Sequence, residues 1–415
     1  MNFQDFQLHP SVAAGVSSAG YTEPTPVQAR AIPRVMAGKD VMGMAQTGTG
    51  KTAAFVLPIL NRLTSAKPCG PRALIVAPTR ELAEQIHETI RALGHKTGIK
   101  SIAVYGGVAI GPQIRSLAKA DIIVACPGRL LDHISRKTVN LSRVEVLVLD
   151  EADHMFDMGF LPDIRRILKQ VPAKRQTLLF SATMPHEIRQ LASESLTAPS
   201  TVQVGVTAPA ETVSHALFPV SQHLKTPLLL KLLKQTGTGS VLVFTRTKHR
   251  AKRLAEQLSR AGYKTASLQG NLSQNRRQSA INGFRDGTFR ILVATDIAAR
   301  GIDISGVSHV INYDIPNTAD AYIHRIGRTG RAEHTGDAFT LVTDGDADMA
   351  KAIDRVIGSK VERRRLPDFN YGAPEASARQ SNPQHPGKKS AGQAPAKSGH
   401  QGRKPVYRSA YSGAG

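Results

Sequence analysis

Tryptophan is absent from the 415 residues, and aromatic residues make up only 5% of them. So thin a set argues against a binding surface of aromatic stacking platforms and for contacts to a backbone. Cysteine occurs twice, at Cys69 and Cys126. Two thiols make neither a disulfide framework nor, alone, a zinc site. Long apolar runs are missing as well. The longest, Ala53 to Leu60, has eight residues and contains Pro58, far short of the roughly 20 needed to cross a bilayer. No Lys or Arg precedes Arg30, and Asp5 stands near the start, which does not fit a signal or transit peptide. The expectation is a soluble, reduced, cytoplasmic protein with no membrane partner.

Acidic residues are outnumbered. Against 32 Asp and Glu stand 54 Lys and Arg, a net charge of +22. Such an excess attracts polyanions, and nucleic acid is its commonest partner. Residues 371–415 hold seven of the cations (Arg379, Lys388, Lys389, Lys397, Arg403, Lys404 and Arg408) and one acid, Glu375. The rest of that stretch is mainly Gly, Ser, Ala, Pro and Gln, too polar to offset the entropy of ordering. It reads as a disordered basic tail. The remaining 370 residues still carry +16.

Hydrophobic residues make 41% of the chain, enough for packed cores, and the length suits about two domains with an appendage. Short apolar runs alternate with amphipathic stretches. They are Val41–Ala45, Ala73–Ala77, Ile102–Tyr105, Ile122–Ala125, Val146–Leu149 and Thr177–Phe180, then Val241–Phe244, Thr265–Leu268, Ile291–Ala294, His309–Asn312 and Phe339–Val342. Alternation of this kind predicts an α/β fold with parallel sheets. Between the two sets the text turns to Thr, Ala, Pro and Gly. The expected plan is a first domain over 1–205, a linker over 206–211, a second domain over 212–366 and the tail over 367–415.

After Val41–Ala45 comes Gln46-Thr47-Gly48-Thr49-Gly50-Lys51-Thr52, then a helix-compatible stretch. A glycine-rich turn from strand to helix points backbone N–H groups inward, where the helix dipole also favours anions. Lys51 would reach the β- and γ-phosphates of a nucleotide, and the Thr52 hydroxyl would ligate Mg²⁺. Ala45 stands where this pattern usually begins with Gly, a small change. The apolar run Val146–Leu149 ends in Asp150-Glu151-Ala152-Asp153. Ligands in open parallel sheets sit beyond the carboxyl ends of strands. Asp150 there would hold Mg²⁺ through its water shell, and Glu151 would orient and deprotonate the attacking water. Acids at a helix start for dipole reasons are the plainer alternative.

Asp150-Glu151-Ala152-Asp153 resembles the signature of the DEAD-box RNA helicases, and other segments agree in order. Gly20-Tyr21-Thr22-Glu23-Pro24-Thr25-Pro26-Val27-Gln28 is similar to the family's adenine-reading motif, with Phe3 at the upstream aromatic position. Pro78-Thr79-Arg80-Glu81-Leu82, Gly106-Gly107, Pro127-Gly128-Arg129 and Ser181-Ala182-Thr183 follow. The second half has Val243-Phe244 with Thr247-Lys248, Gln274 with Arg277, Ala294-Thr295-Asp296, Arg300-Gly301-Ile302-Asp303 and His324-Arg325-Ile326-Gly327-Arg328-Thr329-Gly330-Arg331. The likeness runs from about residue 3 to about residue 345. The Met155-Phe156-Asp157-Met158-Gly159-Phe160 stretch and the short basic tail resemble the bacterial RhlE-like subgroup.

The resemblance implies two tandem RecA-like domains, ATP with Mg²⁺ as cofactors, and RNA as partner. It implies that Gln28 pairs with the adenine edge, that Phe3 stacks on the base, and that Asp303 binds the ribose. Arg328 and Arg331 would reach the γ-phosphate from the second half, so hydrolysis would await closure. Ser181, Thr183 and His324 would couple the two sites. Thr79, Arg80, Gly107, Gly128, Arg129, Thr247, Gln274, Arg277 and Thr295 would contact RNA. Hydroxyls, glycine backbones and arginines suit phosphates and 2′-hydroxyls, hence sequence-independent binding of single strands and short duplexes. The implied work is local unwinding or remodelling of RNA–protein complexes, with ribosome biogenesis or RNA degradation assemblies as settings the tail would reach. An ATP-gated RNA clamp that scarcely unwinds, and a DNA-directed translocase, stay open. Two departures stand out. Cys126 replaces the usual Thr before Pro-Gly-Arg, and Gln269-Gly270 replaces His-Gly.

Overall fold

The computed structural model describes residues 2–45, 48–64, 70–204, 213–237, 239–299, 302, 304, 306–330 and 336–372. The expected linker at 206–211, the tail from 373 onward, and Cys69 lie outside the described residues. Seven strands belong to the first half: β1 (Val41–Met44), β2 (Ala73–Val76), β3 (Ser101–Val104), β4 (Ile122–Ala125), β5 (Val146–Leu149), β6 (Gln176–Ser181) and β7 (Ser200–Gln203). Seven more follow: β8 (Val213–Pro219), β9 (Val241–Thr245), β10 (Thr265–Leu268), β11 (Ile291–Thr295), β12 (His309–Asn312), β13 (Gly336–Val342) and β14 (Glu362–Arg363).

Strands β2, β4 and β5 are apolar throughout and buried at every residue, as expected where helices cover both faces of a parallel sheet. Alternate residues feed opposite cores. Ala73 and Ile75 of β2 enter one cluster, and Leu74 and Val76 enter the other, which is the period-two geometry of a strand. In the second half Val241 and Val243 of β9 face one core, and Leu242 and Phe244 face another. Each fully buried side chain of this kind contributes about 1.5–3 kcal/mol.

Among the described residues the strands form two sheets, in the orders β3-β4-β2-β5-β6-β1-β7 and β10-β11-β9-β12-β13-β8-β14. Neighbouring strands pair in parallel throughout. The second order repeats the first strand for strand, offset by seven, so one topology is built twice. Three of these strands escape the periodicity reading. In β7 only Val202 is buried, polar Ser214 and His215 interrupt β8, and β14 is an exposed two-residue edge.

The packed body also extends past residue 366, where the tail was expected to begin. Leu366, Phe369 and Tyr371 pack on the core beside β8. The Phe369 and Tyr371 rings meet edge-on at 4.9 Å, and the Arg365 guanidinium lies 5.1 Å above Tyr371. Three apolar side chains in six residues outweigh the polar composition around them.

All-parallel pairing brings every strand's carboxyl end to one edge of its sheet. In the first half that edge is divided. The glycine-rich loop, the Asp150-Glu151 pair and Ser181 follow the adjacent strands β1, β5 and β6. Thr79, Gly107 and Gly128 follow β2, β3 and β4 on the other side. One sheet edge therefore carries two separate sites.

Candidate functional site

The loop after β1 turns through Gly48 and Gly50 at φ 84° and 91°, a region that suits glycine. A side chain at 50 would also come within 2.5 Å of the Gln28 amide nitrogen. Lys51 opens the helix Lys51–Thr64 and is 6% exposed. Its Nζ has no hydrogen-bond partner among the described residues. A buried, unpartnered ammonium is costly. Here it borders a cavity of about 800 Å³ lined by Gly48, Gly50, Thr52, Asp150 and Glu151 among others. An anionic ligand fits that geometry. Gln46 and Thr47 lie outside the described residues, and Thr49 continues the loop.

Asp150 is buried and accepts the Glu151 N–H at 3.0 Å. Burial raises its pKa, and the charge of Glu151 adds to this against the pull of Lys51. A divalent cation would relieve that penalty. Among the described residues no three His, Cys, Asp or Glu side chains form a metal cage. One carboxylate and one hydroxyl on a shared cavity wall are instead the usual footing of Mg²⁺ beside phosphates.

Glu151 sits in the left-handed region at φ 51° and ψ 52°, a conformation that costs a residue with a Cβ. Its Oε2 lies 2.9 Å from His154 Nδ1. Burial opposes its ionisation, yet His154, Lys51 and Arg328 together hold its pKa low. Asp153 is the junction of the site. Its Oδ2 accepts the Ala182 N–H at 3.1 Å, the Thr183 N–H at 2.9 Å and the Thr183 hydroxyl at 3.1 Å. Its own N–H donates to the Ser181 hydroxyl at 3.2 Å. From the second half, His324 Nε2 lies 3.9 Å from the same Oδ2. Ser181, Thr183 and His324 thus meet on Asp153, Ser181 at its backbone N–H and the other two at its carboxylate, a residue that the sequence reading left without a role.

Arg328 is 5% exposed and donates to the Ile302 carbonyl at 2.8 Å. Its charge reaches Glu151 across the cleft. Arg325 is structural: it pairs with both oxygens of Asp296 at 2.6 and 2.7 Å, donates to Asn312 at 2.9 Å, and lies 5.0 Å over the Phe244 ring. Arg331 and Asp303 lie outside the described residues.

At the adenine end, Gln28 is 2% exposed. Its Oε1 accepts the Thr25 N–H at 3.0 Å, and its Nε2 donates to the Gly50 carbonyl at 3.1 Å. A second lone pair and a second N–H stay available for a base. Phe3 does not line the cavity that holds Lys51. It is buried, edge-on to Phe6 and Tyr21 at 5.8 and 5.7 Å, and borders a neighbouring cavity of about 670 Å³. Tyr21 lines both cavities, so it is the aromatic ring placed between them. Only its membership of the Gly20–Gln28 segment signalled it.

A second cleft of about 530 Å³ gathers Thr79, Arg80, Gly128 and Arg129 from one half with Gln274 and Arg277 from the other. Thr79 Oγ1 caps the helix Arg80–Leu93 by accepting the Leu82 N–H at 3.3 Å. Arg80 lies across Gly107, whose φ is 82°, so closely that a Cβ there would strike its guanidinium. Arg129 holds the Val108 carbonyl at 3.1 Å. Arg80 reaches Gln274 Oε1 at 3.4 Å, and Glu81 Oε1 accepts Gln274 Nε2 at 3.3 Å and Arg277 Nε at 2.8 Å. Thr247, which caps the helix Lys248–Arg260, and Thr295, at the end of β11, do not line this cleft. Cys126 does. Burial pushes its thiol up to about 12, with Glu81 adding, and it makes no helix-capping hydrogen bond. Gln269 is buried, and its Oε1 accepts the Asn271 N–H at 2.7 Å. Among the described residues no helix is long and apolar enough to cross a membrane.

Comparison with known proteins agrees with this geometry. The family model described as DEAD/DEAH box helicase matches residues 25–191, and the helicase conserved C-terminal domain matches residues 224–333. The DEAD-box ATP-dependent RNA helicase CshA of Bacillus licheniformis is 46% identical over 374 residues, 89% of this chain and 76% of the relative. Its counterpart in Bacillus subtilis is 45% identical over 374 residues, 89% of this chain and 75% of the relative. Among solved structures, S. cerevisiae Dbp5 bound to RNA and ADP BeF3 is 32% identical with a TM-score of 0.76, covering 88% of this chain and 95% of that one. A DEAD box protein from Methanococcus jannaschii is 37% identical with a TM-score of 0.52, covering 88% and 99%. Family models over both halves, and relatives of this identity and coverage, lead to one conclusion: the chain belongs to the DEAD-box ATP-dependent RNA helicases.

Proposed function

We propose that this chain hydrolyses ATP when RNA draws its two halves together, and that closure separates short RNA duplexes or remodels RNA–protein complexes. The observation that carries this is the meeting on Asp153 of Ser181 and Thr183 from one half with His324 from the other. Neither half alone supplies the whole catalytic set.

Residues 1–205 act as the nucleotide-binding domain and 212 onward as its partner domain. Residues 46–52 cradle the phosphates, with Lys51 as the point charge. Thr52 and Asp150 would hold Mg²⁺, which neutralises charge on the phosphate oxygens. Gln28 reads adenine, with Phe3 and Tyr21 forming the aromatic wall, and Asp303 holds the ribose. Glu151 takes the proton of the attacking water. Arg328 and Arg331 face the γ-phosphoryl oxygens, where charge develops in the transition state. Thr79, Arg80, Gly107, Gly128 and Arg129 grip one stretch of RNA, and Thr247, Gln274, Arg277 and Thr295 the next. A strand held by both must follow their closed geometry. Bending one strand opens base pairs locally, and hydrolysis lets the halves part.

The tail adds basic charge that would hold RNA, or an RNA-bearing assembly, near the body. The Met155–Phe160 stretch supports an RhlE-like placement within the family. A strand-displacement assay on a short RNA duplex, with Lys51→Ala as control, tests the reading. ATP-dependent loss of duplex by the intact chain alone is expected. Retention of the duplex at saturating enzyme would leave an ATP-gated clamp, and ATPase stimulation by DNA but not RNA would overturn the substrate.

A further inference from the structure

His154 follows the Asp150–Asp153 signature directly. It is 3% exposed. Its Nδ1 lies 2.9 Å from Glu151 Oε2, with both side chains buried. A carboxylate only accepts, so Nδ1 carries the proton in this contact. Its backbone N–H donates to Asp153 Oδ1 at 3.1 Å. Its ring stands edge-to-face on the His324 ring, centroids 5.0 Å apart and planes at 87°. Its Nε2 is buried without a hydrogen-bond partner among the described residues. A small void beside it is lined by Phe244, Asp296, Ala321, Arg325 and Arg328 of the second half. One residue therefore touches Glu151 and the closing half through its imidazole, and Asp153 through its backbone N–H.

We propose that His154 is a positioning residue: its Nδ1–H fixes one oxygen of Glu151, turns the other toward the attacking water, and does so best when His324 packs against its ring.

This rests on the reading of Glu151 as the base. Glu151 is buried with Oε2 on His154 Nδ1, so this contact helps set where its second oxygen points. The His324 ring arrives only with the second half, so alignment of the base is tied to closure without a separate device. Misplacing a catalytic group by a fraction of an ångström is enough to slow a reaction.

The test compares His154→Leu and His154→Asn in the full chain, reading RNA-stimulated kcat, KM for ATP, RNA affinity with a non-hydrolysable ATP analogue, and melting temperature. Asparagine can place its amide N–H near the position of Nδ1; leucine fills space without a donor. The expected result is a kcat about tenfold or more lower for His154→Leu, with KM and RNA affinity within about twofold. His154→Asn should keep kcat within about threefold of the parent. Unchanged kcat in His154→Leu overturns the proposal. So does an equal fall in both variants at the parent's melting temperature. If His154→Leu does not fold, His154→Asn decides alone: kcat near the parent's supports the donor role, and a loss of about tenfold in a stable protein contradicts it. Glu151→Gln run in parallel separates the two readings. Normal turnover there removes the base itself, whereas an inactive Glu151→Gln beside a fully active His154→Leu removes only the positioning role.

Discussion

Arg277 of the second half donates its Nε to Glu81 of the first half at 2.8 Å, with the two side chains 12% and 7% exposed. Both belong to segments tied to RNA by family resemblance, yet here they bind each other. Arg277 also donates to the Ala298 carbonyl at 3.3 Å, and Gln274 adds a second hydrogen bond to Glu81. The pair bridges the cleft, beside the residues proposed to contact RNA.

Glu81→Ala would leave Arg277 buried without its carboxylate partner whenever the halves close, with only the Ala298 carbonyl beside it among the described residues. Removing one partner of a buried pair is strongly destabilising, and here the penalty falls on the closed arrangement. The RNA concentration giving half-maximal ATPase should rise about tenfold or more, equivalent to about 1.4 kcal/mol or more. ATP binding without RNA should not move. A titration of ATPase rate against RNA checks this, and an unaltered curve would contradict it.

Glu151→Gln keeps the shape of the side chain and removes the base. Turnover should fall by about 10²–10⁴, while ATP and RNA together form a long-lived complex. Dissociation of labelled RNA in the presence of ATP gives the readout, and release at the parent's rate would refute the assigned base.

Cys126 stands at the cap position of the helix Pro127–Ser135 and caps nothing. Its raised pKa keeps it a neutral thiol, a poor hydrogen-bond partner. Cys126→Thr supplies a hydroxyl to both the helix and the RNA cleft. Stability should rise by about 1 kcal/mol, and RNA affinity by about fivefold, one ordinary hydrogen bond. Melting and RNA-binding curves test the two effects separately. No change in either would show that the hydroxyl has no acceptor or donor to meet here.

Deletion of residues 373–415 spares Tyr371, which packs on the second half. It removes the seven tail cations. RNA affinity should weaken, and the slope of log affinity against log salt should flatten by roughly 0.7 for each lost phosphate contact. An affinity and slope equal to those of the full chain would make the tail a passive extension.

Much of the site was legible because its chemistry sits at strand ends. Lys51, Asp150 and Glu151 each follow an apolar run within a few residues, so local pattern alone set them on one sheet edge. Asp153 and Glu81 stand within quoted motifs but carry no role there, and His154 falls in the gap between two such segments. Their importance lies in partners far along the chain, such as His324 and Arg277, which spacing cannot reveal. Phe3 is expected on the base by resemblance, and in the structure it is buried edge-on to Tyr21, which also lines the cavity beside Lys51. The two tandem parallel-sheet domains expected from the resemblance are found, and only three of their strands escaped the apolar pattern. Strands β7 and β14 lie at sheet edges, where few residues need be apolar, and Ser214 and His215 break the apolar pattern of β8.

The central claim is that ATP turnover requires both halves held together by RNA. The most direct measurement is the steady-state ATPase rate of the intact chain with and without saturating single-stranded RNA. Stimulation of about tenfold or more is expected, since Arg328 and the His324–Asp153 contact are proposed to complete the site only on closure. Equal rates in the two conditions would contradict it.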